Sequence, residues 1–240
     1  MSFVEKEIKR LTGKAIHRSR MIQDGDRILV AVSGGYDSIS MLCLLRDRLN
    51  RIPITYDLSA VHVELGFGND TGKKMERFFA ANGFDYCIIN STFGPRSHGK
   101  ENTENPCFLC SRLRRKAIFQ KAAELGCNKI AFGHHLDDVI ETFFLNLSFA
   151  GSISTILPCQ ELFDGKLTII RPLYLVESST IRRYAEKMGF PLIESGCPTS
   201  GISKRAQIRE LLSSLYRTNK KIKGNIASAL QNTRELSNLR

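Results

Sequence analysis

Residues 26–38 read DRILVAVSGGYDS, a short apolar run that ends in a turn with two glycines. A run of this kind, closed by a turn, is typical of a strand that is buried on both faces of a parallel sheet. Residues 37–50 follow with apolar side chains at helical spacing. The stretch therefore predicts a strand, a turn and a helix, in that order.

The same alternation recurs along the chain. Further strands are predicted over residues 58–63, 84–90, 129–132 and 167–170, and further helices over 71–82, 110–125, 137–148 and 177–188, with a polar loop over 91–106. Strands that alternate with helices indicate βαβ units, and hence a doubly wound, mostly parallel α/β sheet with helices on both faces.

The chain has 240 residues, which corresponds to one sizeable domain with additions at its ends. We expect a basic N-terminal helix within residues 1–24, a central α/β domain over 25–215 and a basic helical tail over 216–240. The helical pattern of the tail region begins at Ile202.

The chain is strongly basic, with 35 Lys and Arg against 24 Asp and Glu and a net charge of +11. Such an excess favours a polyanionic partner, of which nucleic acid is the commonest; the alternative is a protein that is merely basic. No apolar run approaches the roughly 20 residues that span a bilayer, and the N-terminus lacks the apolar core of a secretory signal. These features predict a cytoplasmic protein without a membrane partner.

Polar segments follow three of the predicted strands, over residues 33–38, 62–68 and 133–138. Ligands of open α/β sheets bind beyond the carboxyl ends of the strands. We therefore expect these segments, including His62, to converge in space and to form a binding site.

The first segment has the features of a phosphate loop. Gly34 and Gly35 allow the backbone to approach an anion closely, and free amides at the start of a helix hold phosphate oxygens. Ser33 and Ser38 add hydroxyl donors. Asp37 either caps the helix or binds magnesium. An ordinary capped turn is the alternative interpretation.

The third segment begins the sequence GHHLDDVIET, residues 133–142. Gly133 permits close approach of the backbone, and His134 can donate a hydrogen bond to a nucleotide or a phosphate. The carboxylates of Asp137 and Asp138 can hold a metal ion or cap the helix.

Seven cysteines, an odd number, argue against a disulfide framework. Cys107 and Cys110 form a C-x-x-C pair, which brings two sulfurs to one side as zinc and iron–sulfur sites require. A zinc half-site, a redox dithiol and chance remain alternatives. Cys197 stands between Gly196 and Pro198, a context that suits a ligand presented from a turn. The remaining four are interpreted as structural: Cys43, Cys87, Cys127 and Cys159.

Two of these motifs resemble known signatures. AVSGGYDS resembles the pyrophosphate loop (PP-loop) of the ATP pyrophosphatase family, S-G-G-x-D-S, with Tyr36 at a position that is often lysine. GHHLDDVIET resembles the G-H-H-x-D-D-x-x-E-T signature of tRNA-modifying members. The resemblance implies that the protein adenylates a carbonyl oxygen, releases pyrophosphate and lets a nucleophile displace AMP.

Together with CFLCSRLRR and GCPTSGISKR, these motifs resemble the tRNA 2-thiocytidine synthetase branch over about residues 25–215. That resemblance implies an enzyme that uses ATP, Mg²⁺ and a 4Fe-4S cluster to thiolate a cytidine in the anticodon loop. It assigns Cys107, Cys110 and Cys197 as cluster ligands, which leaves one iron open to a sulfur species.

The same comparison assigns roles around the nucleotide. The implied ATP-binding residues are Ser33, Gly34, Gly35, Asp37, Ser38, His62, Gly133, His134 and Asp138. Asp37 would position magnesium or phosphate, and Asp138 would orient ATP or assist proton movement. Arg114 matches a basic position beside the cluster in related thiouridine enzymes, which implies a catalytic role.

The basic residues fall into two groups. Arg112, Arg115 and Lys116 lie near one face of the helix after the C-x-x-C pair. The second group lies in the tail: Lys204, Arg205, Arg209, Arg217, Lys220, Lys221 and Lys223. Phosphate contacts are expected for both groups, and solvated charge is the alternative.

The expected partners are tRNA, a sulfur donor (sulfide or a cysteine desulfurase) and a second copy of the chain in a homodimer. Three other functions remain open: an RNA base ligase of the lysidine type, which needs no cluster, a non-catalytic RNA-binding sensor, and sulfuration of a small molecule or carrier.

Overall fold

The computed structural model describes residues 1–199, 201 and 204–232. The chain divides into two compact units, one of Met1–His135 with Leu157–Pro198 and one of Leu136–Ile156 with Thr199–Arg240. The domain boundaries that we predict from the sequence stay a prediction. The part of the predicted tail that covers Ile202 and residues 233–240 lies outside the described residues.

The first unit contains the sheet. Its strands are β1 (Asp26–Ala31), β2 (Tyr56–Glu64), β3 (Asp85–Asn90), β4 (Lys129–Ala131), β5 (Cys159–Leu162) and β6 (Leu167–Ile170). Its helices are α1 (Phe3–Arg18), α2 (Tyr36–Leu49), α3 (Thr71–Ala81), α4 (Phe93–His98), α5 (Pro106–Glu124) and α7 (Ser178–Met188).

The strand order is β3-β2-β1-β4-β6-β5. All neighbours run parallel except β5 and β6, which are antiparallel. Val30 of β1 is in register with Ala60 of β2 on one side and Ala131 of β4 on the other. The predicted mostly parallel α/β sheet is confirmed. No helix in the described part of the chain is long and apolar enough to cross a membrane.

Both faces of the sheet are covered. Ile28 and Val30 point into a core that includes buried side chains of α1, α2, α3 and α7, whereas Leu29 packs on the opposite face against Ile118 of α5. Such two-sided burial explains why β1 reads as a continuous apolar run rather than an alternating one. The N-terminal helix α1 contributes to this core through Ile8, which is fully buried.

The second unit is helical in its described part. It contains α6 (Leu136–Ala150), α8 (Lys204–Thr218) and α9 (Ile222–Asn232). Its core is built around Ile140, Ile208 and Leu212, with the half-buried rings of Phe144 and Tyr216 packed against them. The described part of the helical tail that we expected over residues 216–240 contains the end of α8 and all of α9.

Three elements differ from the sequence expectations. Strand β5 was not predicted, because CQEL is only four residues long, lacks a continuous apolar run and forms the sheet edge. Residues 91–106, expected as a loop, contain the short helix α4 despite Gly94 and Pro95. Helix α5 begins at Pro106 rather than Cys110.

Candidate active site

The turn after β1 leads directly into α2, as predicted. Its N-cap residue is Gly35, which has no side chain, so no side-chain hydrogen bond caps the helix. The positive pole at the start of α2 is a favourable place for an anion. The alternative prediction that Asp37 caps the helix is wrong, since Gly35 occupies the cap position. The side chain of Asp37 is 43% exposed.

Hydrogen bonds within the turn hold its shape. Ser38 is buried, its hydroxyl donates to the carbonyl of Gly35 (3.0 Å), and it accepts from the amide of Ser33 (3.1 Å). The hydroxyl of Ser33 is exposed and lies 3.2 Å from that of Ser38. Ser38 therefore closes the loop, and the predicted ATP contacts of both serines stay predictions.

The backbone conformation and the close packing at position 34 require glycine. The φ of Gly34 is +99°, and a Cβ there would lie 2.7 Å from the carbonyl oxygen of Ile193. Gly133, at the end of β4, packs against the same loop, because a Cβ would lie 3.2 Å from the amide of Ser38. The predicted convergence with the first polar segment is confirmed for Gly133 and His135 of the third segment, which belong to the same unit. The close backbone contact that Gly133 permits is with the backbone of Asp37 and Ser38.

The two histidines of the third segment face different partners. The guanidinium of Arg171 donates from Nε to Nδ1 of His134 (3.3 Å), which leaves the proton of a neutral His134 on Nε2. His135 is buried, with Nε2 3.9 Å from the Asp37 carboxylate. His134 is thereby oriented as a donor, consistent with its expected role. Arg171, which follows β6, was missed by the sequence analysis although it stands at a strand end.

His62 lies beneath the loop, at 2% exposure. Its Nδ1 donates to the carbonyl of Val32 (2.8 Å), and its Nε2 lies 3.2 Å from the hydroxyl of Thr71. Thr71 in turn donates to the carboxylate of Glu64. Burial lowers the pKa of His62, with Arg114 adding to that effect. His62 thus supports the backbone that enters the loop, while its predicted contact with ATP stays a prediction.

Glu64 completes this network at the carboxyl end of β2. Its carboxylate accepts from the hydroxyl of Thr71 (2.5 Å) and from the amides of Gly72 (2.6 Å) and Gly66 (3.1 Å). Burial acts to raise the pKa of Glu64, but these hydrogen bonds outweigh it, and the pKa is lowered. A stable carboxylate here ties the loop after β2 to the start of α3.

Cys107 and Cys110 lie in the first turns of α5, one helical turn apart. The side chain of Asn105 caps this helix by accepting from the amides of Cys107 (3.0 Å) and Phe108 (3.2 Å), and Pro106 occupies the first position. This cap explains why the helix begins before the C-x-x-C pair. Both sulfurs consequently lie near the positive end of the helix, which favours an anion.

Cys197 approaches this pair from a turn, although it is distant in sequence. The pKa of Cys110 is raised chiefly by burial, and Cys197 and Cys107 raise it further, so Cys110 is within electrostatic range of each of the other two thiols. Gly196 precedes Cys197 with φ +66°, and a Cβ there would collide with the side chain of Asn69. The turn that presents Cys197 therefore requires glycine.

The donor set fits an iron–sulfur cluster. The hydroxyl of Ser97 is fully buried, and no oxygen or nitrogen atom of the described residues pairs with it. It acts on the Cys110 thiol, where it opposes the rise in pKa that burial causes. Within the described ranges, no three Cys, His, Asp or Glu side chains are gathered tightly enough to hold one metal ion. Thiolates of a 4Fe-4S cluster each bind a different iron, so they need not converge on a point.

Arg114 follows the C-x-x-C pair on α5. Burial raises the pKa of Cys110 and lowers the pKa of His62, and the charge of Arg114 opposes the first effect and adds to the second. Arg114 is half-buried on α5. A cation in this position can stabilise negative charge that develops between a bound nucleotide and a sulfur nucleophile.

Asp138 belongs to the second unit, near the start of α6. Arg205 of α8 donates to the carboxylates of Asp138 (3.3 Å) and Glu141 (3.4 Å), and Arg209 forms a bidentate pair with Glu141 (2.8 and 3.1 Å). The carboxylate of Asp137 pairs with Lys223 (2.6 Å). Three of the expected phosphate-binding cations, Arg205, Arg209 and Lys223, thus neutralise carboxylates within this unit. The role of Asp138 toward ATP stays a prediction.

Comparison with known proteins identifies the family. The model of the PP-loop domain family matches residues 2–215. The chain belongs to the PP-loop family. The tRNA-cytidine(32) 2-sulfurtransferase of Syntrophotalea carbinolica is 38% identical over 237 residues, which cover 95% of this chain and 89% of that protein. The enzyme of the same name from Alkalilimnicola ehrlichii is 37% identical over 231 residues, which cover 95% and 74%.

These relatives confirm membership of the tRNA 2-thiocytidine synthetase branch of the PP-loop family. A solved structure is also similar: the U34-tRNA thiolase NcsA from Methanococcus maripaludis with its 4Fe-4S cluster. It superposes with a TM-score of 0.79 at 25% identity and covers 99% of this chain and 80% of that one. The PP-loop fold that we expected from the motifs is therefore confirmed.

Proposed function

We propose that this PP-loop protein is an ATP-dependent tRNA thiolase that replaces the C2 oxygen of a cytidine with sulfur. One observation carries the proposal: the turn of residues 33–38 at the start of α2 and the three cysteines Cys107, Cys110 and Cys197 belong to the same compact unit. The names of the relatives point to the cytidine at tRNA position 32 as the target.

The chain would bind ATP through backbone amides at the start of α2. The triphosphate would lie against Gly35, where a Cβ would meet only the Ser33 hydroxyl, at 3.8 Å. The exposed carboxylate of Asp37 would hold Mg²⁺, which prefers carboxylate and phosphate oxygens. His134, fixed by Arg171, would donate from Nε2 to the nucleotide.

The reaction would proceed in two displacements. The O2 of the cytidine attacks the α-phosphorus of ATP, and pyrophosphate leaves. A sulfur nucleophile then attacks C2, and AMP leaves with the former O2. Arg114 would stabilise the negative charge that forms during the second displacement.

The cluster would be held by Cys107, Cys110 and Cys197. When bound, it supplies an iron with an open coordination position to which a sulfur species can attach. Ser97 would donate a hydrogen bond toward the Cys110 thiolate, since its hydroxyl has no conventional partner. Such a bond stabilises the anionic sulfur.

The proposal includes its partners and location. The sulfur donor would be sulfide or a cysteine desulfurase, the working enzyme would be a homodimer, and it would act in the cytoplasm, where its tRNA substrate occurs. The net charge of +11 supports an RNA substrate.

Anaerobic purification tests the cluster. The wild type should be brown and contain about four irons per chain, and Cys107→Ala, Cys110→Ala and Cys197→Ala should each lose the colour. Cys43→Ala is the matched control, because burial raises the pKa of Cys43 to about 11 and keeps it a neutral thiol. Zinc in place of iron under strict anaerobiosis would contradict the proposal.

The activity is tested with cytidine-containing tRNA, ATP and sulfide. Mass spectrometry of the digested tRNA should detect 2-thiocytidine, with AMP and pyrophosphate formed in equal amounts. A lysidine-type ligase would form AMP and pyrophosphate equally well without iron. Activity that survives complete removal of iron would therefore overturn the thiolase assignment.

A further inference from the structure

The outward face of α5 forms one wall of a groove of about 720 Å³ within the first unit. Its opposite wall is Phe163, at the tip of the hairpin between β5 and β6. The groove is within the range of ligand pockets, roughly 300–1,000 Å³. The side chains that matter here are Phe108, Arg112, Arg115, Lys116, Phe119 and Phe163.

Aromatic rings dominate the groove. Phe108 and Phe163 are each 60% exposed. Phe163 meets the half-buried Phe119 edge to face, with ring centroids 6.2 Å apart. Two large apolar rings displayed around one groove are a costly surface unless a ligand covers them.

The backbone at Phe163 is also unusual. Its φ is +53°, and Asp164 follows at +55°. Glycine or asparagine adopts this left-handed conformation readily, whereas a bulky residue does so at a cost. The turn therefore carries a phenylalanine where the backbone alone would favour a smaller residue, and its ring lies on the groove.

Positive charge surrounds the rings. The guanidinium of Arg112 lies 5.6 Å from the centroid of the Phe108 ring and pairs with Glu104 at 2.8 Å. Arg115 and Lys116 are exposed. Of the groove residues that the structure describes, three are cations and none is a carboxylate.

Exposed aromatic rings bordered by cations match the chemistry of an unpaired nucleotide. Bases stack on aromatic rings, and Arg or Lys pairs with the flanking phosphates. We propose that this groove binds an unpaired nucleotide of the RNA substrate, beside the base that is modified. The inference rests on the proposed function and extends it. It assigns to the groove a neighbouring base, whereas the modified base binds at the site of reaction.

The position of the groove agrees with this role. Cys107, Cys110 and Arg114 lie on α5 as well, on the side of the helix that the groove does not include. A helix with its side chains is about 10–12 Å across. A strand of RNA could therefore pass over α5 with one base in the groove and another near the thiols.

The test uses Phe163 because its substitution leaves the core intact. Phe163→Asn removes the ring and suits the left-handed backbone, whereas Phe163→Tyr keeps a ring and is the matched control. Binding is measured by filter retention of an anticodon stem-loop RNA and of a blunt duplex with the same stem. We expect Phe163→Asn to weaken stem-loop binding about tenfold, within the range for one stacked base, and to leave duplex binding and iron content unchanged.

Several results would overturn the inference. One is that Phe163→Asn binds the stem-loop as tightly as the wild type does. If the wild type thiolates tRNA in the same experiment, the proposed function still stands. If Phe163→Asn weakened binding of the duplex as much as binding of the stem-loop, the groove would not recognise an unpaired base. Loss of dimer in sedimentation without loss of RNA affinity would assign the groove to a second copy of the chain. A wild type that neither binds nor thiolates tRNA would instead refute the proposed function, and the groove with it.

Discussion

At the scale of single residues, the two loop glycines have different physical tasks. Gly34 has φ +99° and no room for a side chain beside Ile193, whereas Gly35 has an ordinary φ of −76° and open space before it. Only the first is required for the fold. The second leaves clear the space in which we propose that phosphate binds.

Substitution by alanine should separate these tasks. Gly34→Ala is expected to lower the melting temperature by several degrees, since the strained φ alone costs about 1–2 kcal/mol. Gly35→Ala should melt close to wild type yet lose most pyrophosphate release, because its methyl group covers the first amides of α2. Thermal unfolding and a pyrophosphate assay measure both. Full turnover in Gly35→Ala would show that phosphate does not bind there.

At the scale of elements, the start of α5 sets the position of two thiols. Asn105 caps the helix, and Cys107 and Cys110 follow within the next turns. Because the cap lies beside the predicted ligands, its loss should affect the cluster more than the fold.

Asn105→Ala should cost about 1 kcal/mol of stability and speed the loss of iron in air. Asn105→Asp keeps an oxygen that accepts from the same amides and should behave like wild type. Iron content is followed by absorbance after exposure to air. Identical decay of both variants would mean that the cap does not control the thiols.

A second element-scale feature is the ion-pair network between α6 and α8. Glu141 is 3% exposed and accepts bidentately from Arg209, whose side chain is largely exposed. Without Arg209, the buried carboxylate keeps Arg205, at 3.4 Å, as its partner among the residues that the structure describes. Unpaired buried charge is strongly destabilising.

We therefore expect Arg209→Leu to increase hydrogen exchange throughout α8, whereas Arg217→Leu on the exposed end of that helix should not. Arg205 contacts both Glu141 and Asp138, so a shift of Arg205 toward Glu141 would also disturb Asp138. Arg209→Leu should therefore lower turnover as well. Unchanged exchange in Arg209→Leu would show that the network contributes little to this helix.

At the scale of the whole molecule, the net charge of +11 should make tRNA binding strongly dependent on salt. The structure distinguishes the cations of the tail by whether a carboxylate already pairs with them. Lys220 and Lys221 are exposed, whereas Lys223 pairs with Asp137. The tail cations are thus not equivalent, although the sequence shows no difference between them.

The double variant Lys220→Ala with Lys221→Ala should weaken tRNA binding and reduce the slope of log K against log salt by about 0.7–0.9 for each phosphate that these lysines neutralise. It should spare turnover at saturating tRNA. The double variant Lys73→Ala with Lys187→Ala is the control, since these lysines pair with Asp70 and Glu5. Filter binding across a salt series measures both slopes, and equal slopes for the two variants would contradict a specific role for the tail.

Much of the architecture could be read from short stretches. The alternation of strands and helices, the glycine turn after β1 and the C-x-x-C spacing depend on neighbouring residues, so periodicity and turn chemistry suffice to predict them. The motifs also led to the PP-loop family without knowledge of the fold. Strand β5 was not predicted because this edge strand has weak apolar patterning. The start of α5 was not predicted because the Asn105 cap and Pro106 set it in a polar stretch without helical periodicity.

Other features depend on packing between distant parts of the chain. Cys197 comes into range of Cys110, Arg171 orients His134, and Phe163 reaches Phe119 only because the sheet brings their elements together. No local pattern specifies such pairs, since each depends on strand order and on how helices lie across the sheet. The chemistry of the ligands is thus local in the sequence, whereas their assembly into one site and one groove is a property of the folded chain.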